Sequence, residues 1–175
     1  MTDRSYTFGL LVVLCVCGFL AVPQQSSAQF IDLRLEIDSQ ITARTEQPLN
    51  FGTLTTNSGR RSIELGSINM GIFSITGLEN QMLLVDMDIP TQLQHDNSAI
   101  SDTVPISLHS RYGFSLENFQ DSAPLPNGTG TIKVATNPDP GPWNTIYLFI
   151  YGSVNIGDIA DGIYANEIVM NVEYI

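Results

Sequence analysis

Beyond Ala28 no stretch of this chain sustains helical periodicity over three turns; apolar residues alternate with polar ones in short runs separated by turn residues. That pattern restricts the fold more than any other feature. A period of two puts successive side chains on opposite faces of a strand, whereas a helix would scatter the same residues around its circumference. Residues 82–89 are the plainest case, with Leu83, Val85, Met87 and Ile89 on one face and Asp86 and Asp88 on the other. Pro90 then closes the strand, because it has no N–H to give a ladder. Residues 146–154 differ in being apolar on both faces: Ile146, Leu148 and Ile150 alternate with Tyr147, Phe149 and Tyr151. A strand of that kind belongs at the centre of a sheet, covered on two sides, and is expected deepest in the core.

Other segments fit the same class. Residues 49–54 read as a strand, Asn57-Ser58-Gly59 as a tight reversal, and residues 63–68 as the return. Residues 72–76, 104–109, 112–116, 131–136 and 168–175 add further strands. Residues 91–102 and 121–130 are polar or rich in Pro, Gly, Ser and Asn, and are expected to be loops. About nine short strands with no helical crossovers predict an all-β, immunoglobulin-like, two-sheet antiparallel β-sandwich.

The N-terminal residues have a different character. Arg4 precedes an almost unbroken apolar run from Phe8 to Val22, and Ser26-Ser27-Ala28 supplies the small residues a signal peptidase reads. The run is shorter than the roughly 18 residues of a spanning helix, and no second one follows. The expectation is a signal peptide over residues 1–28 and a single domain over residues 29–175. The destination would be the periplasm, the outer cell surface or the extracellular medium, with no membrane span in the mature chain. Cys15 and Cys17 both lie inside that signal, and Leu14 and Val16 precede them where a lipoprotein signal needs a small residue. The remaining chain therefore has neither disulfide nor thiolate, and must be stabilised by its core.

Charge narrows the partners. Of 7 strong bases and 18 carboxylates only Arg4 and Asp3 precede the cleavage point, so the rest of the chain holds six bases against seventeen acids. Such a balance opposes contact with phosphate and argues against nucleic acid and anionic lipid as partners. It favours solubility, and leaves cations and neutral sugars as ligands. Directly after the signal, Ile31, Leu33, Leu35 and Ile37 alternate with Asp32, Arg34, Glu36 and Asp38. One face of that segment is apolar and the other charged, so it either pairs within its own sheet or is donated to a neighbour by strand addition.

Three segments, taken in order, carry a family likeness: Leu49-Asn50-Phe51-Gly52, then Phe73-Ser74-Ile75-Thr76-Gly77, then Asp161-Gly162-Ile163-Tyr164 leading to a last strand containing Val172-Glu173-Tyr174. Together they resemble secreted bacterial domains of the spore-coat-protein-U and fimbrial-adhesin type, and most closely the domain-of-unknown-function 4402 family. The resemblance implies an immunoglobulin-like sandwich exported to the envelope or surface, in some cases a polymer subunit whose N-terminal strand completes its neighbour. It carries over no catalytic residue. The chain departs from many chaperone-assembled subunits in lacking their cysteine pair.

Little in the sequence points to chemistry. His95 and His109 are the only histidines, and no Gly-x-Ser-x-Gly elbow accompanies them, so no catalytic triad is expected. His95 beside Asp96 reads as a solvated loop residue and His109 as a surface residue. Zinc would need clustered ligands that are missing. Asp158, Asp161 and Glu167 are the candidates for an irregular calcium site, although aligning Gly162 with an EF-hand glycine puts Gly157 and Ile159 where oxygen ligands belong. No cofactor is expected. Trp143, the single tryptophan, either packs over the sandwich edge or stacks on a sugar ring. Asn127-Gly128-Thr129 has the form of a glycosylation acceptor and is explained as a turn. The functional expectation is a non-enzymatic structural or adhesin-like subunit that self-associates or joins other envelope subunits; the alternative is a carbohydrate- or calcium-dependent lectin-like module.

Overall fold

The computed structural model describes residues 40–137 and 141–175. The signal over residues 1–28, and the alternating segment with Ile31, Leu33, Leu35 and Ile37, lie outside the described residues. The described part is built of antiparallel strands: β1 (Thr42–Gln47), β2 (Gly59–Ile63), β3 (Gly71–Leu78), β4 (Met82–Asp88), β5 (Gln92–His95), β6 (Thr103–Gly113), β7 (Ala123–Pro124), β8 (Thr129–Lys133), β9 (Trp143–Ile156), β10 (Tyr164–Ala165) and β11 (Val169–Tyr174). Two single-turn 3-10 segments, Phe119–Asp121 and Pro126–Gly128, interrupt them.

The strands form two sheets. The larger follows the order β1-β3-β9-β6-β5-β10, with β2 also on β9 and β7 on β6; the smaller is β11-β4-β8. The fold is thus an all-β sandwich of two antiparallel sheets, as the alternation predicted, with eleven strands among the described residues rather than nine. β9 organises the larger sheet. Along one edge it pairs first with β3 (Leu78 opposite Trp143, Gly71 opposite Ile150) and then with β2 (Ile63 opposite Gly152, Gly59 opposite Ile156). Along the other edge it pairs with β6, from Gly113 opposite Tyr147 to Ile106 opposite Val154.

Both faces of β9 are covered around Leu148, Phe149 and Ile150, which is why that stretch of its sequence is apolar on both sides. Ile146, Leu148 and Ile150, all at 0% exposure, meet Leu83, Val85 and Met87 of β4, together with Ile75, Leu125, Ile132 and Val134. Phe149 points the other way and is equally buried, beneath Ile63, Met70 and Phe119. Each such side chain removed from water contributes roughly 1.5–3 kcal/mol, so the central strand is the main source of stability. Gly152 lets β6 approach closely: its φ is 152°, and a Cβ there would run into the Ser107 carbonyl.

Several expectations need correction. Residues 49–54 form no strand. Leu49 and Phe51 pack inward from irregular chain, Pro48 offers no N–H, and Gly52 takes φ 76°. Their alternation recorded burial, not pairing. The strand expected at residues 63–68 lies earlier, at β2, and the chain then turns, with the Ser67 N–H donating to the Glu64 carbonyl and Ile68 fully in solvent. Residues 91–102 contain β5, whose Leu93 and His95 face inward between two glutamines. Residues 121–130 are not a plain surface loop either: Ser122 and Leu125 are both 3% exposed, and Arg111 donates to Ser122 Oγ at 2.9 Å and also to its carbonyl. Turns are present at Asn57 and Asn127, where the sequence placed them. Asn57, Asn80 and Asn127 are the described non-glycine residues with positive φ, and asparagine tolerates that region best.

Candidate functional site

The smaller sheet is too narrow to cover the larger one. Its inward residues match the middle of β9, but the inner face of β5, the start of β6 and the end of β9 extend past it. Val104, Val154 and Ile156 form a separate buried cluster there, with Leu93, Ile106 and Tyr164 around it. Beside that cluster lies a groove of about 600 Å³ with an apolar floor and mixed walls. Leu93, Ile106, Leu108 and Ile150 are among the residues of its floor; the chain of residues 47–54 forms one wall and residues 159–168 the other.

The second wall is held by polar contacts that a soft surface loop would lack. The Asp102 carboxylate accepts the Ala160 N–H at 2.8 Å, and the Tyr164 hydroxyl donates to the Ala160 carbonyl at 2.9 Å. Thr56 Oγ1 accepts the Ile159 N–H at 3.3 Å and lies 3.2 Å from the Gly157 carbonyl. His95 supplies a further tie. Its Nδ1 lies 2.9 Å from the Asn97 backbone nitrogen and 3.0 Å from Asp96 Oδ1, and its Nε2 lies 3.2 Å from the Asp161 carbonyl. Its ring stands edge-on to Tyr164 at 4.9 Å, and Gly162 passes so close that any Cβ there would strike the imidazole. The His95 side chain is only 5% exposed, which corrects its reading as a solvated loop residue. Desolvation, followed by the nearby Asp102 and Asp161 carboxylates, raises the Tyr164 pKa above its ordinary value of 10.0, so the phenol stays a donor at neutral pH.

The rim of the groove runs to Ile168, one residue before β11. Among the described residues β11 pairs only with β4, so its other backbone edge has no strand partner. Two large apolar side chains are bare at or beside it, Val169 at 54% and Ile175 at 64% exposure. An unpaired edge with exposed apolar residues is a template for another strand.

The remaining sequence candidates are not brought together. Asp158 accepts weakly from the Asn57 amide at 3.4 Å, Asp161 uses its carbonyl for His95, and Glu167 is exposed on the groove wall. Among the described residues no three His, Cys, Asp or Glu side chains cluster as a metal site. His109 sits mid-strand on β6, its ring tilted against Tyr151 at 5.7 Å, and shares no partner with His95. Trp143 is not in a loop; it opens β9 opposite Leu78 and does not line the groove. Asn127 occupies its turn with φ 54°. The groove itself has no signal in the sequence, because its walls come from irregular segments: residues 49–54, with Phe51 and Leu54, have the pattern of a strand, and Ile159 belongs to no apolar run. No helix among the described residues is long and apolar enough to cross a membrane. The chain matches no family model and no curated protein.

Proposed function

We propose that the protein is a non-enzymatic, exported subunit of the cell envelope or surface that self-associates by strand addition. In this reading residues 30–38 of one copy lie along the free edge of β11 of another. Ile31, Leu33, Leu35 and Ile37 then enter the groove while Asp32, Arg34, Glu36 and Asp38 stay in water. The observation that carries the reading is the meeting of a groove of about 600 Å³, floored by apolar side chains, with a strand edge that has no partner among the described residues. Either feature alone would be weak. Together they have the form of a site for an extended apolar strand: the edge supplies backbone hydrogen bonds, and the groove takes alternate side chains. The resemblance to fimbrial-adhesin and spore-coat-protein-U domains supports the same conclusion.

Amide hydrogen exchange of the purified protein over a concentration series tests it, since paired strand amides are protected and free ones are not. Protection of residues 30–38 and of β11 should rise together with concentration. A Leu33→Asp, Leu35→Asp double variant should remain monomeric in light scattering, because two carboxylates cannot be buried against the apolar floor of the groove without large cost. Protection of residues 30–38 that is complete at the lowest concentration, in a protein that stays monomeric, would defeat the proposal and indicate a self-complete domain.

A further inference from the structure

We infer that the outer face of the larger sheet carries a second binding site, for a neutral pyranose sugar, independent of the groove and of strand addition. The site is a depression of about 330 Å³ over β1, β3 and β9, lined by Thr42, Arg44, Glu46, Ser74, Thr76, Thr145 and Tyr147. Strand register places these residues in rows. Thr42 stands opposite Thr76 and Thr76 opposite Thr145; Arg44 stands opposite Ser74 and Ser74 opposite Tyr147. Alternation puts Trp143, two residues before Thr145, on the same face of β9 beyond the end of the depression.

The composition of the lining selects the ligand. Arg44 and Glu46 share one face of β1 and flank one another, yet they form no ion pair among the described residues. Glu46 is held instead by Ser74, a 6% exposed residue whose hydroxyl donates to Oε1 at 2.5 Å. Thr76 and Thr145 share a hydroxyl–hydroxyl bond of 3.0 Å. The depression thus offers a fixed carboxylate acceptor, a guanidinium donor fork and hydroxyls that serve either way, which is what adjacent sugar hydroxyls require. Tyr147 adds an apolar ring with a polar tip, suited to the C–H face of a pyranose.

Other ligand classes fit less well. A phosphate or a polyanion would meet one arginine beside a glutamate, on a chain of formal net charge −11. An apolar ligand would strand every hydroxyl of the lining. The volume lies at the lower end of the roughly 300–1,000 Å³ of small-molecule sites. The floor is paired strand, and Glu46, at the β-bulge of β1, is held by Ser74, so little ordering is needed on binding.

Amide-detected NMR titration of the purified protein with cellotetraose, maltotetraose and tetra-N-acetylchitotetraose tests the assignment, with tetragalacturonate as the charged control. At least one neutral oligosaccharide should move the amides of Arg44, Ser74, Thr145 and Tyr147, with a Kd on the order of 1 mM. Arg44→Ala and Glu46→Gln, both at exposed positions, should each weaken binding at least tenfold. The Leu33→Asp, Leu35→Asp variant should bind the same sugar unchanged, which separates this site from self-association. The inference is overturned if no neutral oligosaccharide moves those amides at about 20 mM, if only tetragalacturonate does, or if the Arg44 and Glu46 variants bind as well as the parent.

Discussion

His95, Tyr164 and Asp102 show how much a single side chain can hold in place where regular structure is thin. β10 is two residues long, and its two rungs with β5 cannot by themselves fix the wall of residues 159–168. The wall stays in position because Asp102 and Tyr164 both engage Ala160, and because His95 engages Asp161. Burial and two carboxylates raise the Tyr164 pKa, and the sign of the linkage follows. A phenol whose folded pKa lies above its unfolded value stabilises the fold fully below about pH 10, and that contribution is lost as pH rises through the folded value. Difference absorbance of the parent against Tyr164→Phe should show this phenol ionising above the ordinary range. Asp102→Asn should move the titration partly back, since it removes one negative neighbour and leaves the desolvation. If the titration does not move, the carboxylate is not among the causes. Little of this was legible in the sequence, where His95 and Asp96 looked like a solvated loop pair; Asp96 and Asn97 do lie at Nδ1, but the Asp161 carbonyl at Nε2 is 66 residues away, and no local pattern records it.

At the scale of elements, strands were legible in proportion to the contrast between their faces. β4 and β11 alternate a wholly apolar inner face with an outer face that carries their charged and polar residues, and the middle of β9 is apolar on both, so their patterns stand out from the sequence. β1 reads Thr-Ala-Arg-Thr-Glu-Gln and is an edge strand with its side chains largely in solvent, so nothing in its sequence marks it. Residues 49–54 failed in the opposite sense, burying Leu49 and Phe51 without a ladder. The two faces of β9 belong to different clusters, which makes a specific expectation. Ile150→Val thins the core between the sheets and should cost about 0.5–1.5 kcal/mol; Phe149→Leu loosens the outer cluster and should cost about 1–3 kcal/mol. Because their side chains share no cluster, urea denaturation of the double variant should give the sum to within about 0.5 kcal/mol. A coupling well above that would mean that the strand backbone shifts and transmits strain from one face to the other.

For the whole molecule the question is which force brings copies together against their charge. Each copy carries a formal net charge of −11, and the proposed donor segment has three acids and one base, so two copies repel at low ionic strength. Salt shortens the Debye length from roughly 30 Å at 0.01 M to about 10 Å at 0.1 M. Apolar burial in the groove and main-chain pairing on β11 are not weakened by that screening. If strand addition drives assembly, light scattering at fixed protein concentration should show more association at 0.5 M than at 0.02 M sodium chloride. The Leu33→Asp, Leu35→Asp variant should stay monomeric at both. An assembly that dissolves as salt rises would instead be held by surface ion pairs, with Arg60 and Arg61 on β2 as adjacent exposed bases to supply them. The direction of the salt effect therefore distinguishes a groove that receives a strand from a surface that merely attracts its like, and it does so without disturbing a single residue of the fold.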